Sequence, residues 1–425
     1  MGMTLSEKII ARACGQDSVR PGEIVTCKVD LAMTHDSSGP RRQAPRLKEL
    51  GVKVWDPDKV VILTDHYVPA VDALSAEILK LTRDWVKEQG IKNFYDMQGI
   101  CHVVLPERGH LHPGQFAVGG DSHSPTGGTF GTFMIGVGAT DMTGVLATGE
   151  IWVNVPPTIL VRWTGDLPEY VTAKDMMLRL CGEIGLNGAN YKVVEFAGNG
   201  VSALSMDERM VLPNMTAEVG AKTGIIAPDA VTVEWLKAAG AETAGALDWF
   251  SDEDCEYESV LEFDASTLSP QVAAPHSPAN AAPVEDFKDV AVDQAYIGAC
   301  TGAKLEDLHM AAEIVRGQTV AEGTRFLVAP ASTRITAQAA ADGTLATLTA
   351  AGAILLPSGC GACAGLGAGV LSAGETCISS TNRNFKGRMG PSDASVYLGS
   401  PYAVAAAAVA GHIADPRDIS NRRAS

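Results

Sequence analysis

The chain is short of positive charge: 33 lysines and arginines stand against 50 aspartates and glutamates, a net charge of −17 over 425 residues. Such a field repels nucleic acid and anionic membrane surfaces, and no basic stripe interrupts it, so polyanionic partners are excluded. Long apolar runs are also missing. The longest, "AVAAAAVAG" near the C-terminus, is far short of a bilayer span. No basic start leads into an apolar h-region, so neither export nor a membrane anchor is expected and the chain reads as cytoplasmic. "MGMTLS" fits a loose myristoylation pattern, but Thr4 and Glu7 also make a capping box for a helix opening at "LSEKIIARA", which is the reading preferred. There is no G-x-x-x-x-G-K-S/T phosphate loop and no repeat at solenoid periods. What is present is ordinary globular material, 46% hydrophobic and 6% aromatic, which excludes disorder.

Nine cysteines, odd in number and irregularly spaced, give no disulfide framework. In a reducing compartment most should be buried apolar residues or metal ligands. Short β-branched runs such as "KVVIL", "FAVGG" and "TILVRW" alternate with helical patterns such as "AVDALSAEILKLTRDWVKEQG", which predicts α/β architecture. The three prolines of "AAPHSPANAAPVED" predict a linker at 273–286. A weaker break at "RWTGDLPEY" suggests a first domain at 1–165, a second at 166–272 and a third at 287–425.

"PSGCGACAG" places Cys360 and Cys363 in a glycine-rich loop after the apolar "AGAILL". A C-x-x-C pair serves as a redox dithiol, half of a zinc site or part of an iron-sulfur cluster. Cys300 in "YIGACTGAKLEDL" has the same strand-to-helix setting, 60 residues before Cys360. Zinc would need a further ligand, and His412 is the only histidine downstream. Spacing alone leaves cluster, zinc, dithiol and buried structural cysteine open. "GCGACA" also fits a relaxed dinucleotide fingerprint, but Glu375 precedes the next strand where an acid should end it.

The remaining candidates are histidines beside acids: His35 and Asp36, Asp65 and His66, His102, and Asp121 with His123 in "GGDSHSPTGG". Each alone suits a structural role. Their repetition in loops after apolar runs suits a site at the carboxyl edge of a sheet. Arg383 and Arg388 in "STNRNFKGRMG" are guanidinium forks of the kind that bind carboxylates.

Together, "DHYVPA", "GICHVVLPERG", "GGDSHSPTGG", "NMTAEVGAKTGII", "YIGAC", "PSGCGACAG" and "STNRNFKGRMG" resemble, in order and nearly end to end, the aconitase superfamily. The likeness is nearest to the large subunits of 3-isopropylmalate dehydratase and homoaconitase. The resemblance implies a three-domain α/β fold without the swivelling fourth domain. It implies a [4Fe-4S] cluster on Cys300, Cys360 and Cys363, with one iron open to substrate. Asp65, His66, His102, Asp121, His123 and Glu218 match the catalytic set; His35, Asp36, Ser122, Asn382, Arg383 and Arg388 match the substrate pocket. The implied reaction is dehydration and rehydration of a small branched hydroxy acid, 3-isopropylmalate in leucine biosynthesis first. Homoaconitate, dimethylmalate, citramalate or maleate hydration, or a non-catalytic metal-binding relative, are the alternatives. The resemblance also implies a separate small subunit of the swivelling-domain type, carrying the carbon-proton base.

The chain departs from the family pattern at several places. Ala299 and Gly302 flank Cys300 where a serine and an asparagine are usual, Ser124 and Thr126 alter the "DSHT" motif, and Pro213 replaces a cysteine. No cluster cysteine is lost, so these changes bear on specificity.

Overall fold

The computed structural model describes residues 2–424. Three sheets divide most of the strands, and each has a parallel core. The first runs in the order Asn93–Asp96, Val60–Thr64, Leu31–His35, Phe116–Gly119, Phe133–Gly136, with every pair parallel. "LAMTH", "VVILT" and "FAVG" are buried at every position, the near-continuous apolar character that a sheet covered on both faces requires. Strand order reverses at Leu31–His35, which lies between a strand that follows it closely and one that comes much later. Chains leave such a switch point in opposite directions, so a crevice opens at its carboxyl end.

The second sheet, Thr223–Ile226, Val193–Ala197, Thr158–Thr164, Ser259–Asp264, is also all parallel. The third has seven strands, with Thr376–Ser379, Gln294–Ile297 and Arg325–Val328 at its centre, parallel to one another. The segment 273–286, expected as a linker, is partly sheet. Ala281–Pro283 pairs antiparallel with Gln271–Ala273, so prolines and alanines there end a sheet edge. The helix Leu5–Cys14 opens with the Thr4 and Glu7 capping box and ends on Gly15 in the left-handed region.

Two of the three apolar cores tie the third sheet to the others. One joins Leu31, Met33, Val61 and Leu63 to Ala295, Ile297, Phe326 and Val328. The other joins Ile159, Val161 and Val194 to Tyr296, Leu327, Val396 and Leu398. The loops that leave the third sheet are thereby held against those of the first two. Among the described residues no helix is long and apolar enough to cross a membrane.

Candidate active site

Each strand around the switch point of the first sheet ends in an acid or a histidine. His35 closes Leu31–His35, Asp65 and His66 follow Val60–Thr64, and Asp121 follows Phe116–Gly119. Asp36, fully buried, accepts the backbone N–H groups of Asp65 (3.4 Å), His66 (3.1 Å) and Tyr67 (2.9 Å), fixing that loop. The His35 and His66 rings stack at 4.1 Å. Asp65 uses both oxygens: Oδ1 lies 2.7 Å from His66 Nδ1, and Oδ2 accepts the Cys101 N–H at 2.7 Å. Burial alone would lower His66, yet Asp65, Asp121 and Asp36 bring it up to about 9. Burial alone would raise Asp65, but His66, His35 and the Cys101 N–H hold it well below the usual carboxylate range.

A second chain of contacts crosses all three sheets. Asp121 Oδ1 meets His102 Nε2 at 2.8 Å and the His123 N–H at 2.8 Å. His123 Nε2 meets Glu218 Oε1 at 2.9 Å. Arg383 Nε donates to both Glu218 oxygens, at 2.8 and 3.0 Å, and its Nη1 donates to Ser122 Oγ at 2.9 Å. Burial would raise Glu218, but His123 and Arg383 hold it down; the same balance keeps Asp121 well below its usual value through His102 and His123. Burial lowers His102.

The cysteines arrive on loops at the carboxyl ends of the third sheet. Ala299, at φ 68°, turns the chain from Gln294–Ile297 to Cys300. Cys360 N–H donates to Asp65 O at 2.8 Å, and a Cβ at Gly359 would stand 2.8 Å from that oxygen, so only glycine lets the C-x-x-C loop approach the first sheet this closely. Cys360 Sγ lies 3.9 Å from Asp65 Oδ2, while Cys300 and Cys363 Sγ lie 3.9 and 4.0 Å from one oxygen, Asn382 Oδ1. All three thiols therefore border one region together with Asp65. His412, the only histidine downstream of the C-x-x-C pair, bridges to Ala291, at the end of the Gln294–Ile297 strand opposite Cys300. Three thiols brought to one region by two loops suit a group that bridges those loops.

The donor set suits it as well. Burial pushes Cys300 up to about 11 and Cys360 well above the ordinary thiol range, so thiolates here call for a cationic partner. Asn214 and Asn382 donate Nδ2 to Cys300 Sγ at 3.1 and 3.5 Å. Arg388 Nε and Tyr296 Oη are buried without a hydrogen-bond partner. Lys174, 1% exposed, donates Nζ to Ser380 O (3.1 Å) and Thr381 O (2.5 Å), bracing the loop that carries Asn382 and Arg383. Burial lowers it to about 8 against the pull of Cys300, Cys363 and Glu218.

Sequence reasoning did not select Asn214, Lys174, Tyr296 or Cys101, all of which border this region. Three of the departures from the family pattern have specific local contacts. A Cβ at Gly302 would meet Ser380 Cβ at 2.3 Å, so glycine permits tight packing of the two loops. Ser124 Oγ bonds Asp121 O at 2.7 Å, and Thr126 Oγ1 accepts from Asn214 Nδ2 at 2.7 Å. A separate cavity of about 500 Å³, lined by Met206, Met210, Trp235 and Glu306, includes none of the candidate residues.

Fold and site together define an α/β protein in which imidazole–carboxylate pairs and three thiols share the carboxyl ends of joined parallel sheets. The model of the aconitase family (aconitate hydratase) matches residues 7–290 and 285–411. The chain is 47% identical over 419 residues to 3-isopropylmalate dehydratase large subunit 1 of Methanopyrus kandleri, covering 98% of this chain and 99% of that one. It is 44% identical over 420 residues to the probable methanogen homoaconitase large subunit of Methanothermobacter thermautotrophicus, covering 98% of each. The solved structure of Thermococcus kodakaraensis aconitase X, holo-form, matches with a TM-score of 0.51 over 84% of each chain at 13% identity, which shows a shared fold. The chain belongs to the aconitase family.

Proposed function

We propose that the chain is the cluster-bearing large subunit of an iron-sulfur hydro-lyase that dehydrates and rehydrates 3-isopropylmalate. The observation that carries this reading is the double engagement of Asp65, with one oxygen on His66 and the other 3.9 Å from Cys360 Sγ. It couples a proton-holding imidazole to the loop that would hold the cluster. When bound to Cys300, Cys360 and Cys363, a [4Fe-4S] cluster supplies Lewis acidity through an iron without a protein ligand.

The protein's part is positioning and proton transfer. His66, brought up to about 9, carries a proton at neutral pH. Its Nδ1 is engaged by Asp65 and its Nε2 faces Asp121 Oδ2 at 4.0 Å, so Nε2 is the atom that gives a proton to the leaving hydroxyl. Asp36 and Asp65 fix the imidazolium, and His35 stacks on its face. Asp121 orients His102 and His123; Glu218 links His123 to Arg383. Arg383 and Arg388 take substrate carboxylates against the acidic field of the chain. The base that removes the carbon-bound proton is assigned to a separate small subunit, in keeping with the words "large subunit" in the relatives' names. The three sheets support three α/β units near the divisions read from sequence, with Thr158–Thr164 in the second.

A second reading, homoaconitate as substrate, is favoured by the 44% identity to the homoaconitase relative. One experiment covers both. The chain is purified anaerobically, loaded with iron and sulfide, and assayed on a panel of hydroxy acids with and without a small subunit. The expected result is a brown protein that is nearly inactive alone and turns over 3-isopropylmalate with the partner. Turnover of homoaconitate in its place supports the second reading, and a colourless protein with stoichiometric zinc overturns both.

A further inference from the structure

Tyr296 lies in the central strand Gln294–Ile297, close before Cys300. Its side chain is wholly buried, and its hydroxyl has no hydrogen-bond partner. Buried tyrosines ordinarily place that hydroxyl against an acceptor, because a desolvated donor left unpaired destabilises the fold. Both cysteine loops lie against this phenol. A Cβ at Gly298, ahead of Cys300, would stand 2.2 Å from the ring, and a Cβ at Gly361, inside the C-x-x-C turn, would stand 4.0 Å from the hydroxyl. After burial itself, the groups that act most strongly on the phenol are the thiols of Cys363 and then Cys360.

We infer that Tyr296 is a positioning residue whose hydroxyl donates a hydrogen bond to the sulfur shell of the bound cluster beside the C-x-x-C turn. This rests on the reading of Cys300, Cys360 and Cys363 as cluster ligands. The donor is orphaned in the protein alone and acquires its acceptor on loading. A hydrogen bond to a cluster sulfur offsets its negative charge and so stabilises the reduced state, raising the reduction potential. The same bond makes the loaded form more stable relative to the cluster-free one.

The test compares the full chain with its Tyr296→Phe variant, each cluster-free after chelation and each loaded anaerobically. Phenylalanine keeps the ring volume and removes only the hydroxyl. In the cluster-free form the variant should melt at or above the wild-type temperature, since it loses an unpaired donor. Loading should raise its melting temperature less than it raises that of the wild type, and the loaded variant should have the more negative potential. As a separate readout, resonance Raman bands of the iron–sulfur stretches in loaded wild type should shift in deuterium oxide, and the Tyr296 share of that shift should vanish in Tyr296→Phe. Equal destabilisation of both forms would mean the hydroxyl bonds to protein or a trapped water, and would overturn the inference. Unchanged potential and Raman bands in a loaded variant would overturn it too. A wild-type chain that takes up no iron-sulfur cluster would instead defeat the reading of the three cysteines, and this inference with it.

Discussion

Glu218 depends on partners that other sheets position. Its side chain is fully buried, with Arg383 Nε at 2.8 and 3.0 Å and His123 Nε2 at 2.9 Å, while Arg383 is 18% exposed. Arg383→Met would leave the carboxylate buried with His123 alone, and removing one member of a buried pair costs about 3 kcal/mol. Glu218→Gln would leave Arg383 its bond to Ser122 and a path to water, so its cost should be nearer 1 to 2 kcal/mol, about that of a lost charged hydrogen bond. The double variant strands no charge. It should cost less than the two single variants together, with a coupling of about 2 kcal/mol. The assay is denaturant unfolding of the four cluster-free proteins at pH 7 and fixed salt. The pH dependence has a definite sign. Because the folded carboxyl is held below its ordinary value, Glu218 adds stability above the unfolded carboxylate range, and that stability fades as pH falls through the folded value. Arg383→Met should weaken this acid-side loss. Additive costs to within about 0.5 kcal/mol would refute the reasoning.

Three further outcomes are expected. In the loaded complex, turnover should fall on the alkaline side near the value of about 9 set for His66. Asp65→Asn should move that limb to lower pH and reduce the maximal rate by about 10² to 10⁴, as read from a pH–rate profile; an unmoved limb contradicts the role of His66. Burial raises Glu208 to about 7, so as pH rises from the unfolded carboxylate range towards that value the unfolded chain gives up a proton that the native state keeps, and stability falls. Glu208→Gln should therefore gain up to about 3 kcal/mol at pH 8 relative to pH 5, by the usual conversion of a pKa shift. Arg388→Lys should raise KM or lower kcat with little change in melting temperature, since an ammonium cannot reproduce a guanidinium fork; unchanged kinetics would remove Arg388 from the site.

The cysteine loops and the histidine–acid pairs were legible because each follows a short apolar run, and runs of that kind become parallel strands whose carboxyl ends meet. What stayed hidden lacked either charge or context. Asn214 lies inside the quoted "NMTAEVGAKTGII" segment, but an amide bears no titrating group to draw notice. Lys174, in "TAKDMM", reads like any helix-start lysine until its burial against Ser380 and Thr381 is seen. Tyr296 looks like part of an apolar strand, and only its unpaired hydroxyl distinguishes it. The prolines of 273–286 read as a break, yet the pairing of Ala281–Pro283 depends on Gln271–Ala273, a strand that begins before the segment. Such distant partners leave no local periodicity to read.

The central claim is that Cys300, Cys360 and Cys363 hold a cluster with one iron free for substrate. Mössbauer spectroscopy of the anaerobic chain loaded with iron-57, before and after addition of 3-isopropylmalate and the small subunit, tests it most directly. The account predicts a [4Fe-4S] spectrum in which one iron site shifts on adding the hydroxy acid while the others keep their parameters. A spectrum that does not respond to substrate, or iron uptake that persists in a chain with all three cysteines replaced by serine, would contradict it.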